Sequence, residues 1–248
     1  MADSFEVLGL IPARGGSKSI PYKNLTRLAG IPLLGHVAES ARRSSTVSRL
    51  LCSTEDEKIA SYCAEIGVSV CWRPTKLADD NSPVVATMLE LVERLFRNER
   101  YRPDAIALLQ PTSPFTLPEH IDACVQALSQ NPKAATSQTV APMPQNFHAY
   151  NQREIADGVV NFRFPRERAD CYNKQKKPDF YSFGNVVVVR TSSLLEQRIV
   201  FARPSSPVII HPSYALDVDG PGDFPLAEWF LQQRRVELPW VAIESGER

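Results

Sequence analysis

Residues 8–24 read LGLIPARGGSKSIPYKN, and this stretch gives the first indication of the fold. An apolar run at residues 7–11 leads directly into a turn with two adjacent glycines and the cations Arg14, Lys18 and Lys23. A short apolar run bounded by turn residues is typical of a strand buried on both faces, as in a parallel sheet. Open α/β sheets bind their ligands in the loops at the carboxyl ends of such strands.

The loop after this strand is a candidate site for a polyanion. Its glycines let backbone N–H groups approach a ligand closely, and its three cations lie within ten residues. A solvated basic turn is the alternative, because glycine and lysine are common in turns. The spacing fits neither GxGxxG nor GxxxxGK[ST], so neither of those nucleotide-binding motifs is indicated.

The first 130 residues alternate between strand-like apolar runs and helix-like spacing. Further strands are predicted at residues 49–53, 68–72 and 105–109, and the clearest amphipathic helix is predicted at residues 85–96. Strands that alternate with helices form parallel sheets covered on both faces. The sequence therefore predicts a doubly wound, mainly parallel α/β fold.

The second half of the chain gives weaker signals. Residues 141–178 are rich in proline, asparagine and glutamine and carry a dense basic run, so we interpret them as a small lobe inserted into a single domain that spans residues 1–248. Beyond the lobe we expect strands at residues 185–190, 199–201 and 208–210, an extended stretch at residues 214–219 and a helix at residues 226–230.

The composition excludes several classes of protein. Lys plus Arg equals Asp plus Glu, 28 each, so no net field indicates nucleic acid or an anionic membrane. The five cysteines form no CxxC pair, which favours free thiols over disulfides or zinc. No apolar stretch approaches the ~18 residues of a membrane span, and the N-terminus lacks the basic start of a signal peptide. We expect a soluble, cytoplasmic protein.

Asp217 and Asp219 are candidate metal ligands. Residues two apart in an extended stretch point to the same face, so both carboxylates would project together. Mg²⁺ prefers a few carboxylates plus waters and substrate phosphates. The alternative is an ordinary strand end followed by a turn.

The segment QPTSPF follows the strand at residues 105–109 and supplies Gln110, Thr112 and Ser113. Their neutral donors and acceptors suit the hydroxyls and carbonyls of a sugar or a base. A proline-rich turn that caps the next helix is the alternative interpretation.

The opening loop, ARGGSKSIPYKN, resembles the signature A-R-x-x-S-K-x-[IL]-x-x-K-N of the cytidylyltransferases that activate acidic sugars, above all the CMP-sialic acid synthetases. The resemblance continues in WRPTKLADDNS, QPTSPF and ALDVDGPGDFPLAE. It implies a Rossmann-like nucleotidyltransferase that moves CMP from CTP to a 2-keto-3-deoxy sugar acid of the sialic, legionaminic or pseudaminic type and releases pyrophosphate.

The resemblance also implies a role for each matching residue. The catalytic residues would be Arg14, Lys23 and Lys174, and the nucleotide-binding residues Ala13, Arg14, Gly15, Asn24, Arg73 and Ser82. Gln110, Thr112, Ser113 and Gln175 would bind the sugar, and Asp217 and Asp219 would hold Mg²⁺. Relatives use the region at residues 141–178 to form homodimers in which one subunit's lobe reaches the other's sugar site.

The sequence departs from the family on the presumed sugar side. Relatives carry an Arg-Gln pair where this chain has Lys174-Gln175, and lysine cannot form the two-pronged contact of arginine. Thr116 and the run Gly184-Asn185-Val186 also differ from the family pattern.

Two alternatives therefore stay open. One is a cytidylyltransferase for the eight-carbon acid Kdo or a sugar-1-phosphate nucleotidylyltransferase, against which the Lys23-Asn24 pair argues. The other is a non-catalytic nucleotide-sugar binding protein that kept the fold.

Overall fold

A computed structural model describes residues 5–79, 82–171 and 173–242, without the side chain of Lys174. The first half contains β1 (Val7–Pro12), β2 (Arg27–Leu28), β3 (Ile31–Pro32), α1 (Leu33–Arg43), β4 (Arg49–Thr54), α2 (Glu57–Glu65), β5 (Ser69–Trp72), α3 (Val84–Glu99), β6 (Ala105–Leu109) and α4 (Pro118–Ser129). The second half contains β7 (Thr136–Pro142), β8 (Arg153–Ala156), β9 (Val159–Phe162), α5 (Pro165–Asp170), β10 (Tyr181–Arg190), α6 (Thr191–Gln197), β11 (Ser205–Ile209) and α7 (Asp223–Gln232).

Seven strands form the central sheet in the order β11-β7-β10-β6-β1-β4-β5. Every neighbouring pair is parallel except those that involve β10, which runs antiparallel to both β6 and β7. The predicted mainly parallel α/β fold is confirmed.

Helices cover both faces of this sheet, which explains the apolar run of β1. Val7 and Ile11 pack in one core cluster with residues of α1, α2 and α4. Leu8 and Leu10 pack in a second cluster with residues of α3 and α6. Burial on two faces removes the alternation that a half-exposed strand would show. No helix in the described ranges is both long and apolar enough to span a bilayer.

Two of the predicted elements are wrong. Residues 199–201 form a turn after α6, where Arg198 has a positive φ of 55° that ends the helix. The stretch at residues 214–219 is not a strand, because a 3-10 helix at Pro212–Ala215 precedes an irregular segment. Pro212 lies in the first turn of that helix, where its missing N–H costs nothing.

The sequence analysis missed β7, whose residues read TSQTVAP. Three of its hydroxyl residues, Thr136, Ser137 and Thr139, are fully buried. The Thr136 hydroxyl donates to the Ala202 carbonyl over 2.9 Å, so a central strand here contains polar side chains that bind backbone groups. Such a strand gives no hydrophobic signal.

The segment between β7 and β10 lies outside the central sheet and contains the two-stranded sheet β8–β9. Asp157 and Gly158 turn this hairpin with φ values of 52° and 76°, the backbone that a two-residue hairpin turn requires. The same segment contains a small aromatic cluster, in which the His148 and Phe180 rings stack with centroids 4.5 Å apart.

The direction of β10 decides where this segment emerges. Tyr181, the first residue of β10, pairs with Pro142, the last residue of β7, and Val186 pairs with Leu109 at the end of β6. The segment therefore leaves and rejoins the sheet at the edge where the loop after β6 begins.

Candidate active site

A cavity of about 550 Å³ lies at the carboxyl ends of β1, β5 and β6. It brings together eight of the predicted site residues: Arg14, Lys23, Asn24, Arg73, Ser82, Gln110, Thr112 and Asp219. Among the described lining residues, the cations Arg14, Lys18, Lys23 and Arg73 outnumber the carboxylates Asp79 and Asp219. A polar cleft with an excess of positive charge suits a polyanionic ligand.

Backbone contacts at the end of β1 fix the start of the signature loop. The buried Ala13 donates its N–H to the Ser53 carbonyl over 3.0 Å. The buried Asn24 donates from Nδ2 to the Arg14 carbonyl over 2.9 Å, so it ties the two ends of the loop together. Ala13 thus contributes its backbone, and Asn24 both lines the cavity and holds the loop in shape.

Gly15 lies against the loop that follows β4. Its N–H donates to Glu55 Oε1 over 2.8 Å. A Cβ added at Gly15 would clash with the carboxylate of Asp56 and would lie 2.9 Å from the Asp56 Cβ. A Cβ at Gly16 would meet nothing within 4 Å. The close approach therefore requires glycine at the first position and not at the second.

Arg73 follows β5 directly, and its side chain is only 6% exposed. Nη2 donates to the Ser53 carbonyl over 3.2 Å and lies 3.2 Å from Glu55 Oε2. Burial lowers the pKa of Arg73, an effect that Glu55 opposes and the charge of Arg14 reinforces. Nε is buried without a hydrogen-bond partner. An unpaired buried N–H on a side chain that lines a cavity is where a ligand acceptor is expected.

The segment with Asp219 lies against the signature loop and contributes Asp219 to the cavity lining. The Ser19 hydroxyl donates to the Asp219 carbonyl over 2.7 Å, and Lys23 Nζ lies 3.4 Å from Asp219 Oδ1. The Asp223 carboxylate accepts the N–H groups of Asp219 and Gly220 over 2.8 Å each, which holds this segment at the start of α7.

Asp217 does not line the cavity, but its carboxyl interacts electrostatically with the Asp219 carboxylate. Ser113, which is buried, donates from Oγ to Asp217 Oδ1 over 3.4 Å. Asp217 is solvent-accessible, but desolvation by the surrounding protein raises the pKa of its carboxyl, and the Asp219 charge raises it further. A hydrogen bond with Thr112 and the charge of Lys23 act in the opposite direction and lower it. Two carboxylates that repel one another are therefore brought together without a strand.

The donor set around these carboxylates fits Mg²⁺. Among the described residues, no group of three or more His, Cys, Asp and Glu forms a complete metal cage. Mg²⁺ keeps several waters and binds through one or two carboxylates plus substrate phosphates. Asp219, which lines the cationic cavity, and the Asp217 carboxyl near it provide such a pair of carboxylates.

The residues predicted for the sugar side are only partly assembled. Gln110 and Thr112 line the cavity, whereas Gln175 is exposed and is not among the lining residues. The backbone of Lys174 begins a 3-10 helix, Lys174–Lys176, but its side chain lies outside the described residues.

Sequence reasoning missed a buried network that joins the two halves of the chain. Asn185 Nδ2 lies 3.0 Å from His120 Nδ1 and donates to the Tyr214 carbonyl over 3.0 Å. The Asn185 Oδ1 accepts from the Thr139 hydroxyl over 3.1 Å. Burial lowers the pKa of His120 to about 4. A register shift in β10 between Phe183 and Val187 accompanies the inward position of Asn185. The sequence contains no pattern that predicts this shift.

Glu55 is the second omission, and here the sequence does carry a signal. It directly follows β4, at the same edge of the sheet as the signature loop. A charged residue at the carboxyl end of a parallel strand is a candidate site residue on position alone.

This arrangement of sheet, glycine loop and cationic cavity is typical of nucleotide-binding α/β enzymes. Residues 8–197 match the cytidylyltransferase family, and the chain belongs to that family. It is therefore a nucleotidyltransferase, as the resemblance of the signature loop predicts.

Several characterised proteins are similar to this chain over most of its length. It is 29% identical to the CMP-N,N'-diacetyllegionaminic acid synthase of Legionella pneumophila over 239 residues, which cover 96% of this chain and 99% of the relative. It is 27% identical to the N-acylneuraminate cytidylyltransferase A of Danio rerio and 26% identical to the N-acylneuraminate cytidylyltransferase of Escherichia coli. The matches cover 91% and 92% of this chain but only 50% and 53% of those two relatives.

Two solved structures share the fold. A CMP:2-keto-3-deoxy-manno-octonic acid synthetase complexed with CTP superposes with a TM-score of 0.68 at 16% identity, over 92% of this chain and 99% of the other. The 4-diphosphocytidyl-2C-methyl-D-erythritol synthase of Anaerococcus prevotii superposes with a TM-score of 0.62 at 12% identity, over 93% and 97%. At these identities the likeness supports the fold alone.

Proposed function

We propose that this chain transfers CMP from CTP to a 2-keto-3-deoxy sugar acid of the nine-carbon type and releases pyrophosphate. The observation that carries the proposal is the cavity itself, where four cations and the unpaired Nε of Arg73 lie beside the neutral Gln110 and Thr112. One side of the cavity suits a triphosphate and the other a sugar. The names of the relatives support this choice of acceptor.

In this reaction the C2 hydroxyl of the sugar acid attacks the α-phosphate of CTP. A bond forms between that oxygen and phosphorus, and the bond from the α-phosphorus to the bridging oxygen breaks, so that pyrophosphate leaves. The hydroxyl proton is released to solvent. Arg14 and Lys23, with Lys18 beside them, neutralise the triphosphate, which is most of what such a transfer requires of a protein. Gln110 and Thr112 orient the acceptor hydroxyl.

The remaining nucleotide contacts follow from the positions of the side chains. Arg73 and Ser82 line the cavity on the side of β5 and α3 and would contact the nucleoside. Ala13, Gly15 and Asn24 act through the backbone of the signature loop, which they hold in place.

Asp217 and Asp219 would hold Mg²⁺ in this scheme. The ion supplies positive charge to the phosphates and to the leaving pyrophosphate when it is bound. Desolvation, and after it the charge of Asp219, raise the pKa of Asp217, and a bound cation would favour the charged form of both carboxylates.

The segment at residues 141–178 has the features of a dimerisation element. Ile155 and Val160 are cross-strand partners in the β8–β9 hairpin and are 78% and 61% exposed, with Val159 beside them 57% exposed. Exposed apolar side chains that cluster on one element favour burial against a partner. We propose a homodimer formed through this hairpin, with Lys174 and Gln175 brought towards a sugar site by the same segment.

Sedimentation velocity tests the homodimer. The wild type is expected to sediment as a dimer at micromolar concentration, and Val160→Asp as a monomer. Asn161→Asp is the matched control, since it adds the same charge to the next position of β9, which is also exposed. A monomeric wild type contradicts the proposal.

A cytoplasmic location belongs to the same proposal, because the reaction consumes a nucleoside triphosphate.

Pyrophosphate release from CTP with sialic, legionaminic, pseudaminic and Kdo acids in parallel tests the function. Turnover is expected with a nine-carbon acid and not when ATP or UTP replaces CTP. Faster turnover with Kdo would make the eight-carbon acid the acceptor. Binding of CTP without pyrophosphate release from any acid would favour a non-catalytic binding protein.

A further inference from the structure

The Glu55 carboxylate links the carboxyl ends of three neighbouring strands, β1, β4 and β5. It directly follows β4, accepts the Gly15 N–H at Oε1 over 2.8 Å and lies 3.2 Å from Arg73 Nη2 at Oε2. Gly15 belongs to the loop after β1, and Arg73 directly follows β5. A single side chain thus sets the distance between two parts of the cavity wall.

Glu55 is not itself among the residues that line the cavity. Its side chain is 17% exposed and lies behind the wall that Arg14 and Arg73 form. Its charge also offsets the repulsion between these two guanidinium groups, which would otherwise oppose a buried Arg73. Glu55 therefore acts on residues that face the ligand without reaching the ligand.

We propose that Glu55 is a positioning residue for the nucleoside triphosphate, which holds the Gly15 backbone and the Arg73 guanidinium in the arrangement that binds CTP. The inference rests on the proposed function, because it takes CTP as the ligand of the cavity. A salt bridge that contributes only to folding is the competing explanation. The two differ in whether CTP affinity depends on Glu55 in a folded protein.

Two substitutions separate the contacts of this carboxylate. Glu55→Gln keeps an oxygen that can accept the Gly15 N–H but removes the charge opposite Arg73. Glu55→Ala removes both contacts. Glu57→Gln is the matched control, since it removes the same charge two residues along the chain at an exposed position of α2.

Titration calorimetry with CTP alone measures the dissociation constant, and steady-state kinetics give KM for CTP and for the sugar acid separately. We expect Glu55→Gln to raise the dissociation constant and the KM for CTP about ten-fold, and Glu55→Ala to raise both further. The KM for the sugar acid is expected to stay within about two-fold in both variants, because Glu55 contacts neither Gln110 nor Thr112. Glu57→Gln is expected to bind CTP like the wild type.

A folded Glu55→Ala or Glu55→Gln protein with wild-type affinity for CTP overturns the inference. Equal increases in both KM values overturn it too, as does failure of both variants to fold, which would make Glu55 a folding residue. The binding readout separates this inference from the proposed function. If the wild type binds CTP but releases no pyrophosphate, and Glu55→Gln still weakens binding, the transfer proposal fails and the positioning role stands. A wild type that does not bind CTP overturns both.

Discussion

The loops after β1 and β5 and the segment between β7 and β10 all carry cations, but these cations have different partners. Arg73 is held at the carboxyl edge of the sheet by the Ser53 carbonyl and Glu55, and it faces a cavity. In the segment after β7, Arg168 and Lys177 both donate to Asn151 Oδ1, over 2.6 and 2.9 Å, and so bind the segment to itself. A dense basic run in a sequence is therefore not by itself a ligand site.

The strongest test of the comparison concerns Asp217 and Asp219, the second of which contacts the signature loop. Asp217→Asn and Asp219→Asn are each expected to lower kcat/KM about 1000-fold at fixed Mg²⁺, because the amide loses the charge that would hold the ion. The Mg²⁺ dependence of CTP binding, measured by thermal shift, gives a second readout.

Asp170→Asn, an exposed carboxylate of α5, is the control and is expected to have little effect. Wild-type activity that persists unchanged in EDTA contradicts the metal proposal.

Arg14→Ala tests the cationic side of the same cavity. We expect a loss of about 100-fold in kcat/KM, since one charge-assisted phosphate contact disappears. The melting temperature is expected to change little, because a ligand-facing charge adds little to folding. Arg97→Ala, on the exposed face of α3, is the control. An unfolded Arg14→Ala protein would show that the loop is structural.

Lys174 tests whether the segment after β7 also reaches a ligand. Lys174→Ala is expected to lower kcat/KM about ten-fold, which corresponds to ~1.4 kcal/mol, and Lys174→Arg to retain or improve it. Lys176→Ala is the control on the same 3-10 helix. If both Lys174 variants behave like the wild type, the catalytic cation lies elsewhere. Arg166 is then the next candidate, because Arg168 binds Asn151.

The smallest expected effect concerns His120, whose buried network joins α4 to β10 and to the 3-10 helix at Pro212–Ala215. Its pKa is lowered from 6.5 to about 4 by burial, so between these values the unfolded chain binds a proton that the folded chain does not. Acidification through this range therefore favours unfolding. The melting temperature should therefore decrease less between pH 7 and pH 4.5 in His120→Gln than in the wild type. The difference is expected to be roughly 2–4 °C for each kcal/mol that His120 contributes to the pH dependence of the free energy of unfolding.

His211→Gln, at an exposed position, is the control and is expected to keep the wild-type decrease. An equal decrease in His120→Gln and in the wild type would show that His120 does not contribute to acid unfolding. His36, whose pKa is also lowered by burial, would then be the next histidine to test.

The sequence predicted what local patterns determine. The apolar run of β1, the glycine loop and the cations after it follow one another in the chain, so their proximity needs no knowledge of tertiary structure. Glu55 and Arg73 are brought together only by the order of β1, β4 and β5 in the sheet. The buried position of Asn185 depends on the register shift in β10, which strand propensities do not predict.

The predicted pairing of Asp217 and Asp219 illustrates the limit. The prediction that both carboxylates project from one face of an extended strand was wrong, because the segment is irregular. The two carboxylates nevertheless interact, because Asp223 and Ser113 hold the backbone and the carboxyl from outside the segment. A motif can thus identify a site whose geometry it does not explain.

The reversed direction of β10 has a consequence for the evolution of this protein. Because β7 ends and β10 begins at the same edge of the sheet, the stretch of chain between them leaves and rejoins the sheet without crossing it. That stretch can be lengthened, shortened or exchanged without a change in the register of the seven strands. Under the proposed function, the preference for an acceptor could therefore diversify between lineages while the part that handles CTP is inherited intact.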